Sequence, residues 1–186
     1  MLYFISGASR SGKSIVAKKM ANVKRIPYLS LDWIMMGFTH GIPKYGVHDL
    51  LFPDVIARKL WSFLKAMCES MLIAEEDCII EGEALLPELL IELIEKYPDD
   101  TKACFIGFIH VNIDQKVEDI RRFSLEKNDW MEDKSDTYVR EHVINMIAHS
   151  KMIKTACEDQ KIHYFDTSND FEAAIDKILD FLSSEN

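Results

Sequence analysis

The chain has 186 residues, 48% of them hydrophobic, which is enough for one well-filled core and too little for two comfortable domains, so 1–186 is expected to be one domain. A formal net charge of −9, from 22 Lys and Arg against 31 Asp and Glu, excludes the broad basic surface of a general nucleic-acid or anionic-membrane binder and confines any anion site to a local patch. Cys68, Cys78, Cys104 and Cys157 form no CxxC pair, which favours reduced, buried thiols over zinc ligands or disulfides; with no run of 18 apolar residues and no secretory leader, a soluble, cytoplasmic protein is expected.

The first predicted element is a strand over the apolar run Leu2 to Ser6. It runs into GASRSGKS at 7–14, and a helical pattern (SIVAKKM) follows. The octet satisfies G-x-x-x-x-G-K-[ST] in the strand–loop–helix context that gives the motif its meaning. Glycines at 7 and 12 allow φ values closed to other residues, so the N–H groups of Gly7, Ala8, Ser9, Arg10, Ser11, Gly12, Lys13, Ser14 and Ile15 can turn inward around phosphate, above the positive end of the helix. Lys13 supplies a point charge to the outer phosphates, and the Ser14 hydroxyl is the expected Mg²⁺ ligand.

A second strand is predicted over Ile26 to Leu31, ending at Asp32. The following stretch, 33–48, has no acidic residue but holds three of the seven glycines with Trp33, Phe38, His40, Lys44, Tyr45 and His48, a composition suited to a flexible flap, about 32–52, over a partly anionic acceptor. Ile56, Leu60, Phe63, Leu64, Met67 and Met71 space as a core helix, and CIIEGE gives a third strand from Cys78 to Glu81. Leu85 to Ile94 form another amphipathic helix with Pro87 in its first turn. A fourth strand is expected over Cys104 to Val111, then a helix capped by Asp114 that carries Arg121 and Arg122, a polar segment at 127–136, and a further helix with Arg140. The last strand, Ile162 to Phe165, precedes a helix with apolar positions from Phe171 to Leu182, started by an Asn169/Glu172 capping pair. Strands alternating with helices imply an α/β fold, a parallel sheet covered on both faces.

With its loop, its strand ending in Glu81 and Gly82, and this layout, the chain resembles P-loop NTPases, and more narrowly the small-molecule kinases among them, such as shikimate, gluconate, nucleoside and nucleotide kinases. The layout covers the whole chain; the loop alone is motif-grade. The resemblance implies a three-layer fold with a five-stranded parallel sheet of order 2-3-1-4-5 and a helical lid, about 121–140. It also implies ATP and Mg²⁺ as cofactors, Glu81 in the Mg²⁺ shell through water, and Asp32 as the acceptor-binding or base carboxylate. By position, Arg121 or Arg122 would lie over adenine and phosphate and Arg140 would return from the far side of the lid, while the turn at 166–170 would hold the adenine edge. The lid tip departs from an arginine-rich pattern, carrying Asp129, Glu132, Asp133 and Asp136 against Lys127 and Lys134. The expected activity is transfer of the γ-phosphoryl of ATP to a small metabolite, nucleoside or nucleotide; the alternative is an ATPase or nucleotide-binding regulatory protein without such an acceptor. The absence of N-K-x-D argues against a GTPase, and the absence of an apolar strand ending in Asp-Glu against an ATPase machine. The acceptor and the oligomeric state stay open.

Overall fold

A computed structural model describes residues 1–124 and 131–184. Its elements alternate: β1 (Leu2–Gly7), α1 (Lys13–Lys24), β2 (Tyr28–Ser30), α2 (Leu31–Gly41), a 3₁₀ turn (Pro43–Tyr45), α3 (Pro53–Ile73), β3 (Cys78–Glu81), α4 (Pro87–Lys96), β4 (Thr101–Gly107), α5 (Ile113–Ser124), α6 (Asp136–Gln160), β5 (His163–Asp166) and α7 (Phe171–Ser183). The described strands make one parallel sheet in the expected order, β2-β3-β1-β4-β5.

Period-two alternation in the central strands divides the core. Leu2 and Phe4 of β1, Ile80 of β3 and Phe105 of β4 face one side, where α3, α4 and α6 contribute Leu60, Leu64, Leu90, Leu93 and Cys157. Tyr3, Ile5, Ile79, Cys104 and Ile106 face the other, under Val16 and Met20 of α1 and Ile175, Ile178 and Leu182 of α7. Each such buried aliphatic side chain is worth roughly 1.5–3 kcal/mol. Both faces are covered, which is why the central strands read as continuous apolar runs.

Four boundaries differ from the sequence reading. β2 stops at Ser30, and Asp32 sits in the first turn of α2 instead of ending a strand. Leu31 turns into the core there, 1% exposed, and the Ser30 hydroxyl bonds Glu81 instead of capping its own helix. The expected flap at 32–52 therefore begins within an eleven-residue helix, Leu31–Gly41. β4 runs three residues earlier than expected and ends at Gly107; beyond it the N–H of Phe108 donates to Ser150 Oγ and those of Ile109 and His110 to Ser168 Oγ, so the apolar run continues without a sheet partner. Asn112, not Asp114, accepts a bond from the first turn of α5, at Gln115 N. At α7 the cap is Asp170, which accepts from Ala173 N at 3.0 Å, one position past the expected Asn169. Of the expected lid tip, residues 127–130 lie outside the described residues; 131–135 form a turn into α6, whose cap Ser135 accepts from Tyr138 N.

Candidate active site

The carboxyl ends of β1, β2 and β3 converge on the loop between β1 and α1, the position at which open parallel sheets bind ligands. The loop leaves β1 through Gly7 (φ 132°), where a Cβ would stand 1.9 Å from the Ile106 carbonyl oxygen of the neighbouring strand, so a side chain there would force the strands apart. It enters α1 through Gly12 (φ 102°). Lys13 is 6% exposed and folds back across the loop: Nζ donates to the Ala8 carbonyl at 2.7 Å and lies 3.5 Å from Glu83 Oε1.

Sheet register places Glu81 between Ile5 of β1 and Ser30 of β2. Its carboxylate, 4% exposed, accepts from Ser14 Oγ at 2.9 Å and from the Ser30 hydroxyl. Burial raises its pKa above the ordinary value; Lys13 and the two hydroxyls pull it back, and the Asp32 charge pushes it further up. Asp32 is also raised, first by the protein around it and then by Glu83, with Lys13 opposing. Its surface remains accessible to water. Gly82 fixes this geometry: a Cβ on it would lie 2.7 Å from Leu31 Cβ, so its bareness lets the start of α2 close against β3 and brings Asp32 beside Lys13.

One hydroxyl and one buried carboxylate are hard oxygen donors. Among the described residues no group of three or more His, Cys, Asp or Glu could cage a metal alone. That donor set fits Mg²⁺, which keeps most of its waters and takes substrate oxygens.

The structure thus brings Lys13, Ser14, Asp32 and Glu81 together. The three arginines lie at the base of the expected lid, each bonded to acidic or carbonyl groups. Arg121 donates to Asp136 and to the carbonyls of Met131, Glu132 and Lys134. Arg122 pairs with Asp119 at 3.0 Å and Arg140 with Asp114. The sequence reading missed Glu83 and Lys116. Glu83 was visible as the second acid of CIIEGE but lies beyond the strand's apolar run. Lys116, on the polar surface of a helix pattern, carried no signal; its Nζ donates to the Arg10 carbonyl of the loop at 3.0 Å. His142 and His149, seven residues apart and so on one face of α6, feel the Glu83 charge and are held below the ordinary histidine range mainly by burial.

A cleft of about 300 Å³ opens beside the turn at 166–170, lined by Phe165, Asp166, Asn169, Asp170 and Lys177 among others. A second, of about 330 Å³, lies at the amino-terminal ends of β4 and β5 around Lys102 and His163, away from the loop.

No protein-family model matches the chain, and no curated protein matches it by sequence. Solved structures do match its fold. Shikimate kinase from Bacteroides thetaiotaomicron aligns at 17% identity over 99% of both chains with a TM-score of 0.57. A gluconokinase from Sinorhizobium meliloti aligns at 17% identity over 97% of this chain and 90% of its own, with a TM-score of 0.51. A Bacillus subtilis protein solved in complex with phosphorylated GDP aligns at 15% identity over 98% and 95%, with a TM-score of 0.52. The chain has the fold of the small-molecule kinases of the P-loop class.

Proposed function

We propose that this chain is a kinase that uses ATP and Mg²⁺ to transfer the γ-phosphoryl group to a hydroxyl or phosphate of a small metabolite, nucleoside or nucleotide. The observation that carries the reading is a division of labour among carboxylates: Glu81 is bonded to Ser14, while Asp32 and Glu83 stand near Lys13 and outside that pair. An ATPase needs the first arrangement; the second gives an acceptor something to meet. The fold of the matching kinases supports the class of reaction, and at 15–17% identity it does not reach the acceptor.

In this reading the loop N–H groups hold the phosphates, and Lys13 exchanges the Ala8 carbonyl and Glu83 for phosphate oxygens. Ser14 and Glu81 would hold Mg²⁺, which would supply neutralisation of charge on the outer phosphates. Asp32 orients a hydroxyl acceptor and takes its proton as the oxygen bonds to the γ-phosphorus and the bond to the departing diphosphate breaks. Arg122 pairs with Asp119 and Arg140 with Asp114, exposed pairs of the kind worth about 0–1 kcal/mol, so either can trade its carboxylate for phosphate. Arg121, with four acceptors, keeps the lid base in register beside the nucleotide. The cleft at 166–170 takes the adenine edge. A screen of metabolites, nucleosides and nucleotides for ADP release tests the assignment: turnover should appear only with a particular acceptor and vanish in Asp32→Asn. Acceptor-independent ATP hydrolysis that survives Asp32→Asn would favour the ATPase alternative.

A further inference from the structure

We infer that Lys116, on α5, is a positioning residue that presets the phosphate loop for its ligand; this rests on the nucleotide reading above. Arg10, at the loop's tip, has φ 60°, a left-handed conformation that costs a non-glycine residue roughly 1–2 kcal/mol and needs an external hold. The hold is visible: Lys116 Nζ donates to the Arg10 carbonyl at 3.0 Å across 106 residues of sequence. A trans peptide is planar, with its C=O and the next N–H pointing in opposite directions. Pinning the Arg10 carbonyl toward α5 therefore turns the Ser11 N–H the other way, into the hollow where an inward-facing row of N–H groups binds an anion. Without the tether, the peptide between Arg10 and Ser11 loses the bond that directs its carbonyl toward α5.

Three further observations assign the ammonium to this task. It lies 4.5 Å from the Phe108 ring centroid, a cation–π contact that fixes the side chain just past the end of β4. The carboxylate one turn along its own helix, Asp119, is bonded to Arg122 and Gln115, and Lys116 reaches the loop instead. Burial also disfavours the charged amine, lowering its pKa, so the contact is made at a desolvation cost that a surface lysine would escape. Preorganisation of this kind raises affinity by removing an ordering cost from the binding step. Because α5 leads toward the lid, the same bond links the lid's base to the cradle.

The test compares wild type with Lys116→Met, Lys116→Gln and Lys116→Arg, by calorimetric titration with MgADP and with magnesium tripolyphosphate as the probes, alongside thermal midpoints. Methionine keeps the stem and loses the charge; glutamine keeps a donor and is a second, polar replacement should the methionine variant fail to fold. Arginine keeps both charge and donor. Both neutral variants should bind each probe about tenfold more weakly or worse, and Lys116→Arg should lie within about threefold of wild type. A packing role alone would lower the midpoint and leave both affinities intact. Wild-type affinity in the neutral variants, or a loss that arginine does not restore, overturns the inference. Wild-type protein that binds neither probe overturns the nucleotide reading itself, and this is distinguishable because it shows before any substitution is compared.

Discussion

Lys13, Asp32 and Glu81 sense one another's charge, yet their bonding partners differ, and substitutions should separate them. Lys13→Ala removes the point charge that follows the phosphoryl group while leaving the backbone cradle, so transfer should fall by about 10² or more in a folded protein. Retention of most turnover in a direct phosphorylation assay would remove the loop from catalysis. Asp32→Asn keeps shape and deletes charge: ATP affinity should stay within about threefold while transfer falls about 10²-fold, and Ser14→Ala should do the reverse, weakening Mg²⁺-dependent nucleotide binding first. The pH dependence has a definite sign. Asp32 must be ionised to accept a proton, and its pKa is raised, so the acid limb of the transfer rate should lie above the usual carboxylate range of about 4 and should report Asp32 and Glu81 as a coupled pair. For stability the sign is opposite. A carboxylate whose folded-state pKa is raised contributes stability below its unfolded pKa and loses it as pH rises through the folded value. Asp32→Asn should therefore melt no earlier than wild type at pH 7, so a loss of activity could not be charged to unfolding.

At the scale of elements, the amphipathic helices α3, α4 and α7 were legible because each rests on a period repeated over several residues, the loop at 7–14 because its motif is local, and the strand order only through the resemblance to P-loop kinases. What the sequence hid were the places where one tertiary contact overrides that pattern. The helix at 31–41 is the clearest example: the glycines and the lack of acids over 33–48 read as a flexible flap, yet Leu31 and Phe38 are buried and Phe38 packs against Tyr45 and Phe63 with ring centroids 4.8 and 5.3 Å away. The contacts that Glu83 and Lys116 make were illegible for a related reason, since a contact between residues 70 or 106 positions apart leaves no local trace. The corrected picture changes what should move. Amides of α2 should exchange slowly, as a hydrogen-bonded helix with buried anchors, whereas 46–52, which ends in Leu50 and Phe52 at 87% and 77% exposed, should exchange fast in the free protein and slow when ATP and acceptor are added. Equal protection of the two in the free protein would mean that 46–52 does not open. Gly82→Ala probes the same junction. A Cβ 2.7 Å from Leu31 Cβ must displace the start of α2, so transfer should drop with Asp32 untouched, and nucleotide affinity should drop far less.

For the molecule as a whole, the net charge of −9 surrounds a loop that carries Arg10 and Lys13, and among the described residues no helix is long and apolar enough to cross a membrane. The sheet divides the core in two, and the cysteines sample both halves: Cys68, Cys78 and Cys157 belong to the α3/α4/α6 side and Cys104 to the α1/α7 side. All four are free and buried. Burial pushes the thiols of Cys68 and Cys157 up to about 12, raises Cys78, and drives Cys104 higher still, so almost none is thiolate at neutral pH and reagent cannot reach it anyway. Alkylation of the native protein at pH 8 should therefore be far slower than that of a free thiol, about 8.5 in pKa, and all four sites should react promptly in denaturant. The comparison among sites carries the physics. If the two halves of the core melt as one cooperative unit, mass spectrometry should find Cys104 and the other three labelled at one common rate, set by global unfolding. A faster Cys104 would show the α1/α7 layer opening alone. That outcome would count against the cooperative core, because the phosphate loop sits where α1 joins the sheet and could not stay formed while its own helix detached.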